Sequence, residues 1–215
     1  MYIPKFNEEK RLPVMRELMA SHPLATLVTV GSSGLFATHL PMVLEEDGTE
    51  FGVLRGHIAR GNAQWRDFSP NVDALAIFAG PQHYISPNWY PGKQEHGKEV
   101  PTWNYAVVHA YGPLKVIEDE HWLLPFLTRL TQIHEAASPI PWQVSDAPQD
   151  YIHANLKAIV GVEVKINRIE GKWKINQNKT PRDREGVKAG LSRLDTPESL
   201  VMRALVEKVD DPESR

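Results

Sequence analysis

Between Leu24 and Ile58 the sequence reads LATLVTV, GSSG, LFATHLPMVL, EEDGTE and FGVLRGHI. Three runs rich in β-branched and apolar residues are thus joined by short segments of turn-forming ones. Gly in the first linker, and Asp47 with Gly48 in the second, are hairpin material, and such short linkers leave no room for a crossover helix. Antiparallel neighbours follow. Pro41 lies inside the second run and cannot donate to a ladder, so that strand sits at an edge or carries a bulge.

The same punctuation organises the rest of the chain. Asn7 is the expected cap of a helix carrying Leu12, Met15, Leu18 and Met19 on one side, with Pro13 interrupting or kinking its ladder and Pro23 ending it. Ala59 to Phe68 reads as a further helix, and VDALAIFAG as a central strand. The segment PQHYISPNWYPGKQEHGKEVPTWNY then leaves strand periodicity, and a long irregular connection in a compact domain is usually functional. YAVVHAYGPLKVI resumes a strand with a bend at Gly112 and Pro113. Asp119 caps a helix to about Glu135, with Pro125 in its early turns, and QDYIHANLKAI suggests a short one.

Period-two patterning returns in VGVEVKINRI, with a tight turn expected at Glu170 and Gly171 before KWKINQNK. Two C-terminal helices follow, the second capped by Thr196 with Pro197 at its first position. The expected fold is mainly β with inserted and C-terminal helices. About six strands with hairpin spacing favour a small barrel or curled antiparallel sheet over a doubly wound parallel one. Residues 1–180 are read as the barrel domain, and 181–215 as a helical extension packed on it or on a partner subunit.

Composition narrows the chemistry. Among 215 residues there is no cysteine, which excludes disulfides, thiolate nucleophiles and cysteine-based metal sites. The formal charge of -3 gives no general attraction to nucleic acid. The best basic stretch, PRDREGVKAGLSR, is interrupted by acids and reads as a solvated helical face. No segment approaches the ~20 apolar residues of a membrane span, so a soluble, cytoplasmic protein without membrane contact is expected. The nine histidines are scattered without ligand spacing, so no metal site is expected. Neither a dinucleotide fingerprint nor a P-loop occurs, and no nucleophile elbow surrounds Ser21 or Ser86.

Five stretches instead suggest a polar ligand: ATHLP, GHIARGNAQW, GPQHYISPNWY, VPTWNY and KINQNK. Arg60 stands where a strand gives way to a helix-like turn, and Lys179 offers a second cation. Guanidinium and free backbone N–H groups at such a junction suit a phosphate. Trp65, Trp103, Asn104 and Gln177 supply ring faces and edge donors for a planar group.

Together with YIPKF, HPLATLVTV, AIVGVEVKI and GKWKINQNK, these motifs make the chain resemble the PaiB-like family of FMN-binding negative transcriptional regulators, nearly end to end. The resemblance implies an FMN-binding split β-barrel, a homodimer, and flavin mononucleotide in clefts at the subunit interface. It implies that Thr38, His39 and Leu40 border the flavin, and that His57, Arg60 and Asn62 flank its phosphate and ribitol. It further implies that Trp103, Asn104, Gln177 and Lys179 complete the site or the interface. Gly61 and Ala63 depart from the family's more usual GHIARANPQW, without deleting a polar contact. Repression through DNA is implied by family relation alone, and no residue is identified as catalytic. A flavin-dependent oxidoreductase is the alternative, and a haem-binding split barrel the remoter one.

Overall fold

The computed structural model describes residues 1–210. Strands β1 (Glu8–Glu9), β2 (Leu24–Gly31), β3 (Gly34–Pro41), β4 (Val43–Glu45) and β5 (Val53–Ala59) come first, with helix α1 (Leu12–Ser21) after β1. There follow β6 (Ala74–Ile85), α2 (Gly92–His96), β7 (Thr102–Gly112), β8 (Leu114–Ile117), α3 (Glu120–Glu135), α4 (Gln149–Lys157), β9 (Ile159–Lys165) and β10 (Arg168–Lys174). Helices α5 (Pro181–Leu194) and α6 (Pro197–Glu207) close the chain. One sheet has the order β1-β10-β7-β6-β2-β3 and the other β4-β5-β9-β8. The architecture is the β-rich one expected, with antiparallel hairpins and C-terminal helices.

Two compact units emerge from interleaved segments, the first of residues 1–18, 79–108 and 170–215, the second of residues 19–78 and 109–169. In the second unit β2 and β3 form a hairpin in full register from Leu24 opposite Pro41 to Gly31 opposite Gly34. Pro41 ends edge strand β3, and after Met42 the chain enters β4 in the other sheet. Proline thus sits where no further ladder donor is needed. Ala25, Leu27, Leu54, Ile58, Val160, Val162 and Val164 alternate inward and form the core. On the other face of β5 and β9, His57 stands opposite Gly161. A Cβ at Gly161 would lie 2.4 Å from the Trp122 ring, so glycine there lets α3 lie on the sheet.

In the first unit β1 pairs with β10, Glu8 opposite Lys172. Its core includes Ile85, Tyr90, Ala106, Val108, Val187, Leu191, Met202 and Val206. Pro181 and Pro197 open α5 and α6 behind the caps Thr180 and Thr196, whose hydroxyls accept from Asp183 N and Ser199 N. The basic stretch on α5 is a solvated face only in part, with Arg182, Glu185 and Arg193 exposed. Asp183 and Arg184 are buried, and Arg184 Nε donates to Asp210 at 2.9 Å.

Four local expectations fail for identifiable reasons. Asn7 does not cap α1; it is buried in a 3₁₀ turn, and the helix begins beyond Glu9, whose carboxylate accepts from Arg11 N at 2.8 Å. Pro13 is the second residue of α1, where its missing N–H has no helical partner to lose, so it does not interrupt the ladder. Ala59 to Phe68 is not a helix beyond a 3₁₀ turn at Ala63–Trp65, because Asn62 keeps extended dihedrals while its side chain accepts from Gln64 N. The turn at Glu170 and Gly171 is absent. Both residues lie within β10, and the chain instead bends at Asn167, whose N donates to Tyr111 O at 2.9 Å, as it passes from β9 in one sheet to β10 in the other. Gly171 is favoured by close approach, since a Cβ would stand 2.9 Å from the Glu9 carbonyl oxygen and 2.7 Å from the Met15 sulfur. The long irregular segment is also shorter than its composition suggests. Strand β6 runs on through Pro81 to Ile85, and α2 and the start of β7 occupy much of the remainder.

Candidate functional site

Six candidate residues lie in the second unit, around the junction that follows β5. On β3, Thr38 and Leu40 share one side of the strand and His39 the other. Leu40 is buried in the core. His39 is exposed, its Nδ1 2.9 Å from Thr26 Oγ1 on the neighbouring strand. Thr38 Oγ1 accepts from Asn62 Nδ2 at 2.8 Å, so the edge strand is tied to the turn that bears Arg60.

Sequence reasoning assigned no role to Gln64, which fixes this turn. It is fully buried, and its Nε2 reaches Leu27 O and Thr29 Oγ1, each at 3.1 Å, and Phe36 O at 3.3 Å. One side chain thereby joins the turn to both strands of the hairpin. Its Oε1 is buried without a hydrogen-bond partner. The visible signal was a long amide between small and aromatic residues in GNAQW, two positions after a capping Asn.

Arg60 is held from several sides. Its Nε donates to Lys157 O at 2.8 Å, one terminal nitrogen meets the Glu118 carboxylate at 2.5 Å, and the other lies 3.3 Å from Ile159 O. The guanidinium carbon is 5.6 Å from the centre of the Trp65 ring, and Trp65 Nε1 donates to Arg60 O at 2.9 Å. His57 goes elsewhere. Its ring meets Phe126 edge-on at 6.2 Å beneath α3, and its Nδ1 is buried without a partner. Burial holds its pKa below the ordinary histidine value, because the imidazolium would be poorly solvated there. The recorded contacts therefore give His57 and Arg60 different surroundings: an aromatic helix face for one, a carboxylate and two carbonyls for the other.

The remaining four candidates lie in the first unit. Trp103 is exposed and meets Tyr84 edge-on at 6.1 Å. Asn104 is fully buried and donates to Asn176 Oδ1 at 2.5 Å; Asn176 in turn donates to Tyr90 OH at 2.9 Å. Burial pushes the Tyr90 phenol up to about 12. Gln177 turns back on its own strand end, its Oε1 accepting from Ile175 N at 2.8 Å and its Nε2 donating to Trp173 O. Lys179 pairs with Glu99 at 2.5 Å and lies 4.7 Å from the centre of the Tyr90 ring.

Chemically, the junction after β5 offers a guanidinium, a carboxamide and the Thr38 hydroxyl, while the exposed His39 imidazole lies on the other side of β3 beside Thr26. This set can donate hydrogen bonds to an anion and to hydroxyls, and Glu118 is the carboxylate already on the guanidinium. Among the described residues no cluster of three or more histidine or acidic side chains suits a metal ion. None of the helices is long and apolar enough to cross a membrane.

Comparison with known proteins shows the family and the fold. A family model described as "Putative FMN-binding domain" matches residues 1–168. The protease synthase and sporulation protein PAI 2 of Bacillus subtilis is 31% identical, across 96% of this chain and 97% of that protein. An uncharacterized protein of Emericella nidulans is 34% identical, across 91% and 92%. Among solved structures, the FAD and heme binding protein from Mycobacterium smegmatis superposes with a TM-score of 0.56 at 14% identity, covering 86% of this chain and 80% of that one. At that identity the likeness speaks to the fold alone. In sequence and in fold, the chain belongs to the PaiB-related FMN-binding family of split-barrel proteins.

Proposed function

We propose that this protein binds flavin mononucleotide, with the turn after β5 and edge strand β3 holding the phosphate and ribityl chain. The observation that carries the reading is the Asn62–Thr38 hydrogen bond, which sets a carboxamide and a hydroxyl beside the strand–turn junction of Arg60. In this reading the exposed His39 and the β3 backbone at Leu40, whose side chain is in the core, border the ring system, and His57 supports the junction from beneath α3. Trp103, Asn104, Gln177 and Lys179 belong to the other unit; with Asn104 buried in its own network, Trp103 is the one of the four with most surface to offer a ring.

The residues fit the group. Arg60 and Glu118 keep 32% and 55% of their side-chain surface, and so exposed an ion pair stabilises the fold by at most about 1 kcal/mol. A phosphate dianion can therefore take the guanidinium over from Glu118 at little cost. Bound flavin supplies hydride or single-electron transfer; the protein's own part is to hold the phosphate, orient the ring and limit water. Replacing Arg60 by Ala is expected to weaken flavin mononucleotide about ten- to a hundredfold and riboflavin much less, since a hydrogen bond to a charged group contributes roughly 1.5–3 kcal/mol. Equal losses for both ligands in a folded variant would overturn the phosphate role.

The proposed assembly is a homodimer, and the proposed role is regulation in the cytoplasm, following the family. Leu24, Val30, Leu35 and Phe36 on the β2–β3 hairpin are exposed, Leu35 to 80%, an apolar edge suited to a second copy. A specific observation favours a second reading, a flavin-dependent oxidoreductase. Arg184 and Lys188 on α5 keep only 7% and 13% of their side-chain surface and both meet Asp210, so few of that stretch's cations are within reach of a phosphate backbone. Sequence-selective promoter binding that survives physiological salt supports regulation. Turnover of a reduced nicotinamide with salt-labile, unselective DNA binding supports the enzyme instead.

A further inference from the structure

In the second unit, α3, the connection after it and α4 enclose a cleft of about 400 Å³. No residue proposed to hold flavin lines it. Three glutamines, Gln132, Gln143 and Gln149, come from the three different segments, and Thr131 and Ser145 add hydroxyls. Leu124, Val144 and Ile152 supply apolar wall between them. His153 is the single titratable group among the lining residues, its Nδ1 3.6 Å from Glu120.

We infer that this cleft binds a small uncharged molecule with amide or imide groups on an apolar ring, the class that includes the nucleobases. Charge is the first argument. With no Lys, Arg, Asp or Glu on the lining, the cleft offers an ion no counter-charge and so gives a charged ligand no advantage over its neutral parent. Hydrogen-bond chemistry is the second. A carboxamide offers donor and acceptor side by side, the pattern that pairs twice with the edge of a cyclic amide or a base. Carboxamides on separate segments reach a ligand from several directions: among the described residues the side chains of Gln132 and Gln149 make no hydrogen bond, whereas the Gln143 oxygen caps its own 3₁₀ turn and leaves its amide nitrogen to donate. Thr128 is different, since its hydroxyl already donates to Leu124 O at 2.9 Å. Size is the third, because the volume lies at the small end of the range of ligand pockets, about 300–1,000 Å³.

The test compares uracil with its 6-carboxylate, orotate, which adds a charge to the same ring. Each is titrated into the purified protein to about 20 mM, a range that detects millimolar affinity, while the side-chain amide signals of Gln132, Gln143 and Gln149 are followed by ¹H–¹⁵N NMR. Uracil is expected to shift these signals saturably, and orotate to bind more weakly, since the lining has no Lys or Arg for its carboxylate. A Gln132→Leu/Gln149→Leu variant is expected to lose the uracil response. Should that variant fail to fold, Ser145→Trp fills the cleft from an exposed position and is expected to abolish the response in the same way. Absent glutamine shifts, orotate binding as well as uracil, or a response undiminished in the folded variants would each overturn the inference. All these readouts are independent of flavin, so failure of the flavin reading leaves them interpretable.

Discussion

Replacing Gln64 by Glu exchanges one atom pair and reverses the electrostatics of the β2–β3 junction. The amide nitrogen faces three oxygens, Leu27 O, Thr29 Oγ1 and Phe36 O, and the side chain is fully buried. A carboxylate in that place would meet two carbonyl oxygens without a counter-charge, so the folded state takes the acid in its protonated form. Neutralising a glutamic acid with an ordinary pKa near 4.3 at about pH 7 costs close to 3.7 kcal/mol, at 1.36 kcal/mol per unit. Substituting one O–H for two N–H donors removes roughly one more hydrogen bond, about 1 kcal/mol. The expected destabilisation is therefore about 4–5 kcal/mol near neutrality, or some 8–20 °C in Tm for a chain of this size. The linkage has a definite sign. The folded pKa is raised above the unfolded one, so the variant's stability is fully present below about pH 4.3 and is lost as pH rises towards the folded value. Urea unfolding of both proteins at about pH 5, 6 and 7 should show the gap widening by about 1.4 kcal/mol per unit. A pH-independent gap, or one under about 1 kcal/mol at neutrality, would refute the argument. Gln64→Met is the control. It removes both N–H donors together with an unpartnered buried Oε1 and introduces no titrating group, so its cost is expected to be smaller than that of the acid at neutrality and independent of pH.

The other expectations use the same reasoning. His57 has a folded pKa lowered by burial, so stability rises with pH between that value and the ordinary one near 6.5; His57→Leu should lack this increment when unfolding is compared at about pH 5 and 7, and an unchanged profile would contradict it. Gly61 has negative φ and open space where a Cβ would stand, so Gly61→Ala should stabilise by about 0.4–1 kcal/mol through the unfolded chain, read as a rise in Tm. Tyr90, pushed up to about 12, should not ionise with ordinary tyrosines near 10; Tyr90→Phe should leave the phenolate absorbance at about pH 11 unaltered and remove only amplitude that develops above it.

The hairpins were legible because β-branched runs with Gly, Ser and Asp linkers encode strand and turn within a few residues. The caps Asp119, Thr180 and Thr196 belong to the same local chemistry, although Thr180 had not been singled out. What the sequence hid depended on distant neighbours. Gly171 looks like a turn because glycine permits one, yet its reason lies with the Glu9 carbonyl and Met15, far away along the chain. Pro81 looks like a strand breaker, yet β6 continues through it. The α5 stretch looks solvated because its charges alternate, yet Arg184 finds Asp210 beyond the next helix. In the candidate site, Arg60 and Asn62 were readable as residue types suited to a phosphate. Glu118 and Gln64 were not, because an acid and an amide gain such roles only from what folding places beside them.

GHIARGNAQW consequently contains two kinds of polar residue that a sequence cannot separate. Asn62 and Gln64 hold the turn to the hairpin through short internal hydrogen bonds, and Gln64 does so from a buried position where water cannot replace a lost partner. Their substitution is felt first in stability and only then in ligand affinity. Arg60 is the exchangeable one. Its ion pair with Glu118 is partly exposed, so it can be given up to a ligand phosphate, whereas the contacts of its Nε and of its own backbone N–H with Lys157 O and Ala158 O keep it in place. Removing only the competitor tests this division of labour. Glu118→Gln should leave unfolding within about 0.5 kcal/mol of the parent, as for exposed pairs generally. It should tighten flavin mononucleotide more than riboflavin, since only the former has a charge for the freed guanidinium. An equal effect on both ligands would assign Glu118 to the shape of the junction rather than to competition for its cation.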